Sequence, residues 1–197
     1  MARKTQITRE IILEAAFQML LRDGYASISI TSLAKEIGCS TQPIAWQFGS
    51  MEGLRGELLT YCLQFLKDRF VIEGTDVVQI LETIAEEYID IAFHYPNLYK
   101  YLYISDHDGR KMEDLARERR FANYEKIAKM LETEYSVSSE AAKRYLMDFQ
   151  VYVHGIATFA ITELPTSSKG ELLKMVHRAN TMFLKYMKEN RDSEKTD

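Results

Sequence analysis

GYASISITSLAKEIGCSTQPIAWQFGSMEGL, residues 24–54, reads as two short helices joined by a tight turn and followed by a third helix start. Ser29 opens the first: its hydroxyl can accept a hydrogen bond from a free amide of the first turn, and Ile30, Leu33, Ala34 and Ile37 recur at spacings of three and four. One side of that helix is therefore buried. Gly38 can take the left-handed conformation that closes it, and Ser40 is expected to cap the next helix. From Thr41 to Phe48 the second helix sets Ile44 and Phe48 on one side and Thr41, Gln42 and Gln47 on another. A short turn fixing two helices, with a polar edge left free on the second, is how a helix-turn-helix presents a recognition helix to base edges.

Upstream, Ile11, Ile12, Ala15, Ala16, Met19, Leu20, Gly24 and Tyr25 form a helix ending in Gly-Tyr. With Leu33-Ala34, the turn Gly38-Cys39-Ser40, the end Ala45-Trp46-Gln47-Phe48 and the start Ser50-Met51-Glu52-Gly53-Leu54, this first third of the chain resembles the N-terminal domain of the TetR family of transcriptional regulators. Three positions depart from that pattern. Ala45 stands for the usual tyrosine, Gln47 for the histidine and Met51 for the lysine, and the resemblance implies that the tyrosine and lysine touch phosphates, which supply much of the salt-dependent affinity for DNA.

Candidate DNA contacts are therefore Ser29, Ser40, Thr41, Gln42, Pro43, Ala45, Trp46, Gln47, Ser50 and Arg55, the last one turn past Met51. Trp46 either donates its indole N–H to DNA or packs at the edge of the small domain. Pro43 breaks no helical bond in a first turn, yet it disfavours the helical conformation at Gln42, and both conformations of Gln42 stay open.

At 197 residues and 46% hydrophobic content the chain can bury a sizeable core. It has no apolar run of membrane-spanning length, and Met1-Ala2-Arg3-Lys4-Thr5-Gln6 lacks the hydrophobic segment of a signal peptide, so a soluble, cytoplasmic protein without a membrane partner is expected. The net charge of −4 is uneven: residues 1–55 hold six cations against five anions, a thin basic excess that limits non-specific affinity more than docking geometry. Arg3 and Lys4 read as a groove-binding arm or as a solvated terminus. Cys39 and Cys62 read as reduced thiols rather than a disulfide.

Beyond Leu54 the pattern is helical throughout. Helices are expected over Leu54 to Phe70, where Gly53 and Gly56 either permit close packing or soften the joint, and over Val77 to Tyr95, where Tyr95-Pro96 stops the segment. An aromatic piece, Leu98 to Ile104, precedes the loop Asp106-His107-Asp108-Gly109 and a charged helix from Lys111 to Glu134 that contains Arg117-Glu118-Arg119-Arg120. Two long helices follow, Ala141 to Glu163 and one opened by the capping box Ser168 to Glu171 and running to Asn190. The fold class is thus all-α, with a three-helix DNA-binding domain at 1–54, a helical ligand-binding and dimerisation domain at 55–190 and a disordered tail at 191–197.

Leu172, Met175, Val176, Ala179, Met182, Phe183 and Tyr186 make a stripe on the last helix, and Gly155, Ala157 and Ala160 permit close approach on its predecessor. A stripe that wide can also bury itself within the chain; the resemblance implies a homodimer through these two helices, as a two-fold operator requires. Tyr99, Tyr103, Phe121, Tyr124, Phe149, Tyr152, His154 and Phe159 supply the aromatic and polar surface of a small-molecule pocket, with ordinary packing as the alternative for each. No cofactor, metal or enzymatic motif is expected: His94, His107, His154 and His177 fall in no ligand or hydrolase pattern, and Asp106-His107-Asp108 reads as a solvated loop. These readings converge on a ligand-responsive, homodimeric repressor of a palindromic operator. The alternatives are a helical module acting through a protein partner, and a small-molecule carrier.

Overall fold

The computed structural model describes residues 7–66, 70, 73–105, 124–162 and 168–190, and these are helical without a strand. In order they form α1 (Arg9–Asp23), a 3-10 turn (Tyr25–Ser27), α2 (Ile30–Ile37), α3 (Gln42–Phe48), α4 (Met51–Phe65), α5 (Val77–His94), α6 (Pro96–Tyr99) running into a π turn (Lys100–Ile104), α7 (124–135), α8 (Ser139–Ala160) and α9 (Lys169–Glu189). No described helix is long and apolar enough to cross a membrane. The fold class is the expected one. The expected loop at Asp106–Gly109, the stretch containing Arg117–Arg120, Phe121, Arg3, Lys4 and the tail at 191–197 lie outside the described residues.

The chain forms two compact units, each discontinuous in sequence. One lies within Met1–Arg69 and Tyr95–Glu113, the other within Phe70–His94 and Asp114–Asp197. In the first, Ile12, Ala16 and Leu20 of α1, Leu33 of α2, Ile44 of α3, and Leu54, Leu58 and Cys62 of α4 are buried around one core, with Leu98 and Tyr101 from α6 and the π turn. Each fully buried Leu or Ile contributes about 1.5–3 kcal/mol. Desolvation pushes the Cys62 thiol up to about 12, so it behaves as a small apolar residue, while Cys39 is half-buried and equally free of a disulfide.

The local signals hold at α2. Ser29 accepts from the Ser32 amide at 3.0 Å, and Ser32 returns a bond to the Ser29 amide at 2.8 Å. Gly38, at φ +75°, folds its N–H back onto the carbonyls of Ala34 and Lys35. They fail at α3. Thr41, not Ser40, is the N-cap, it is itself in the helical region, and no side chain caps the helix. Gln42 is helical despite the proline that follows it. The α4 boundaries also move, because Ser50 accepts from the Gly53 amide at 3.1 Å and starts the helix at Met51.

The second unit packs α5, α8 and α9 against one another, with α7 contributing Ala128 and Leu131 to its buried side chains. Ser168 and Glu171 form the expected capping box on α9. Asn180 is buried among these helices and accepts from the Tyr145 hydroxyl, and its amide donates to Glu82 at 3.3 Å. The stripe on α9 splits: Leu172, Val176 and Ala179 are buried within the unit, whereas Met182 and Tyr186 face outward. On α8, Ala157 is buried, but Met147, Val151, Gly155 and Phe159 form an outward row.

Candidate nucleic-acid interface

Seven residues are too few for a helix to stand alone in water, so α3 is held by its neighbours. Ile44 and Phe48 anchor it to the core. Arg9, at the start of α1, pairs with the Glu57 carboxylate of α4, donates to the Gln47 carbonyl at 3.0 Å and lies 4.8 Å from the centre of the Phe48 ring. The hydrogen bond that it donates to Glu57 raises the guanidinium pKa further, keeping the charge fixed. Gln47 turns inward as well: its amide donates to the Ile7 carbonyl at 2.8 Å. Behind α3, Gly53 makes the approach of α4 possible, because a Cβ there would lie 2.2 Å from the Phe48 carbonyl oxygen.

What remains outward on α3 and its N-cap is Thr41, Gln42, Ala45 and Trp46. Trp46 is 85% exposed, far too open for the packing role that its sequence also allowed. Among the described residues no hydrogen bond engages the side chains of Thr41, Gln42 or Trp46. Ser40 and Ser50 flank this surface and are exposed, Pro43 is half-buried, and Ser29 is exposed at the α2 cap.

Arg55 turns towards Tyr25. Its Nε donates to the Tyr25 hydroxyl at 2.6 Å, its guanidinium lies 5.1 Å from that ring's centre, and Tyr25 stacks on Tyr101 at 4.9 Å. Arg22 is occupied too, bonding Glu36 at 3.0 and 3.1 Å and Asp23 at 2.9 Å, and that pairing holds the Glu36 carboxyl below its ordinary range. Lys35 stays exposed on α2. The outward face of α3 is itself neutral, and the Arg9, Arg22 and Arg55 guanidinium groups are engaged inside the unit.

Two framing residues escaped the sequence reading. Arg9 carried no signal beyond its sign. Asn97, in α6, donates to the carbonyls of Leu21 and Arg22 at 3.1 and 3.3 Å and so closes the end of α1. Its place after Pro96 was the available clue, because a polar residue in a proline-opened turn commonly bonds to backbone.

The candidate effector residues have distinct local partners. Tyr99 and Tyr103 pair with ring centres 5.1 Å apart in the first unit. In the second, the Tyr124 hydroxyl donates to the Lys143 carbonyl at 2.6 Å, Phe149 stacks on Tyr145, Tyr152 meets Phe183 edge-on, and His154 Nδ1 lies 2.8 Å from the Tyr88 hydroxyl. Phe159 is exposed. A shallow depression lined by Ala141, Tyr145, Phe183 and Tyr186 includes none of the candidate effector residues.

Residues 12–58 match the family described as bacterial regulatory proteins, tetR family. No curated protein sequence matches the chain. Among solved structures, a transcriptional regulator from Rhodococcus sp. Rha1 is similar at 16% identity and a TM-score of 0.66, covering 91% of this chain and 97% of that one. A TetR variant from Acinetobacter baumannii AYE, in complex with minocycline, is similar at 15% identity and 0.64, covering 95% and 99%. A TetR transcriptional regulator from Agrobacterium tumefaciens is similar at 19% and 0.57, covering 89% and 91%. Residues 12–58 thus match the tetR family of bacterial regulatory proteins, and the described helices share the fold of these solved structures.

Proposed function

We propose that the chain is an effector-responsive, homodimeric transcriptional repressor of a palindromic operator, with residues 1–54 reading DNA and the helical remainder to residue 190 sensing and dimerising. The observation that carries this reading is α3, whose inner face is locked by Arg9, Phe48 and Gly53 while Thr41, Gln42, Ala45 and Trp46 stay open. In it, Ser29, Ser40, Pro43 and Ser50 flank the contact, and Gln47 and Arg55 position the reader from within.

Dimerisation is supported by the outward row on α8 and α9, in which Val151 is 63% and Met182 69% exposed and Gly155 has open space above its Cα. A contiguous apolar face of this kind marks a protein interface. Effector response is supported by the aromatic and imidazole groups of the second unit and by the minocycline held by the Acinetobacter relative. The mechanism is linkage: an effector preferring the dimer with misplaced readers weakens DNA binding by the factor by which DNA weakens effector binding. Moving a 1:99 population to 99:1 takes about 5.5 kcal/mol of differential affinity.

The test is binding of the full chain to duplex DNA from upstream of its own gene, titrated with salt, alongside its mass in solution. A dimer that prefers this DNA over random duplex by about a thousand-fold or more supports the reading. Met182→Glu is expected to give monomers that lose that preference. Equal, weak binding to all duplexes, or wild-type assembly of Met182→Glu with full operator affinity, overturns it.

A further inference from the structure

The open face of α3 carries no charge at all. Gln42, Ala45 and Trp46 stand at i, i+3 and i+4, on one side of the helix and exposed, and Gln42–Phe48 contains no Lys, Arg, Asp or Glu. In the major groove each base pair asks for different chemistry. Guanine is read chiefly by Arg or Lys on O6 and N7, cytosine's amino group by a carboxylate, adenine by the Gln or Asn amide on N6 and N7, and thymine by an apolar contact with its methyl group. The α3 face has the last two tools and lacks the first two.

The arginines of the neighbouring helices are engaged, Arg9 by Glu57, Arg22 by Glu36 and Asp23, and Arg55 by Tyr25, and the exposed Lys35 and Glu52 belong to α2 and α4 rather than to the α3 face. Duplex DNA is the fitting occupant because this face belongs to the helix-turn-helix at residues 12–58. The Gln42 amide also has both donors and its acceptor unused, and an apolar protein partner would strand them.

We propose that α3 reads A·T base pairs, with Gln42 holding one adenine through N6 and N7 and Ala45 and Trp46 lying against the methyl groups of adjacent thymines. This rests on the DNA-reading role of α3 and assigns the bases it selects. Gln42, the first residue of α3, occupies the end of a recognition helix that meets base edges most directly.

The test is selection by the full chain from a random duplex pool, followed by replacement of single thymines by uracil, which removes only the C5 methyl. The expected half-site has A·T pairs at the contacted positions, and each contacted methyl removed lowers affinity about four-fold. Gln42→Ala is expected to lose about ten-fold and its adenine preference. In Trp46→Ala, whose thermal stability stays at the wild-type value because the side chain is exposed, the penalty for uracil disappears at the thymine that Trp46 contacts and persists at the one against Ala45. Half-sites with G·C pairs at those positions, or uracil sites bound as well as thymine sites, overturn the base assignment and leave DNA reading intact. A chain that enriches no sequence overturns both.

Discussion

α3 and α9 are built on opposite terms. α9 spans 21 residues, closes its own N-terminus with the Ser168 and Glu171 box and buries Leu172, Val176 and Ala179 along one side. α3 spans seven, has no side-chain cap, carries a proline in its first turn and is kept in place by Arg9, Phe48 and the glycine behind it. α3 is thus borrowed structure. Its exposed positions are free to vary because the surrounding frame, rather than its own sequence, makes it a helix.

Gly53→Ala strikes hardest at that dependence. A methyl group 2.2 Å from a backbone carbonyl must push α3 and α4 apart, so a stability loss of about 1–3 kcal/mol in chemical denaturation, together with loss of specific DNA binding, is expected. Wild-type affinity in that variant would mean that α3 tolerates displacement.

A smaller effect sharpens the same contrast at the caps. Ser168→Ala should cost about 1 kcal/mol, since the hydroxyl accepts from the Glu171 amide. Thr41→Ala should leave stability unchanged, having no capping bond to lose. Thermal unfolding of the two variants side by side distinguishes them, and equal losses would contradict the absence of a cap on α3.

Smallest is the response to acid. Glu14 is held below its ordinary carboxylate range by the hydrogen bond from Tyr61, with Gln18 adding to it, and Glu36 by Arg22. A lowered folded-state pKa gives stability that is present above the ordinary value of 4.5 and is lost as pH falls through the folded value. Both ties join different helices of the first unit, so amide-exchange protection in α1 to α4 should fall below pH 4.5 before it falls in the centre of α9.

Much of this frame was legible in residues whose partners lie within one turn. Ser29, Gly38, Ser50, Ser168 and Glu171 act on amides or carbonyls nearby in sequence, and each acts as its type and position foretold or as a cap for the next helix. Legibility ended where partners were distant. Gln47 has the chemistry of a base reader, yet the Ile7 carbonyl 40 positions away claims its amide, and Arg55 is claimed by Tyr25 from 30 positions away. The α9 stripe was divided for a related reason. Spacing identifies an apolar arc but not how much of it the chain's own α5 and α8 cover, so Leu172 and Val176 went inward and Met182 outward.

Trp46 is the single tryptophan of the chain, and it stands 85% exposed on α3. The protein thus carries a built-in optical reporter at the surface assigned to DNA. Its red-edge emission should shift to shorter wavelength and become shielded from iodide quenching when a duplex covers it, with no label attached. Events confined to α8 and α9 would be silent in that channel, so a change in this emission reports cover of α3 and not assembly elsewhere.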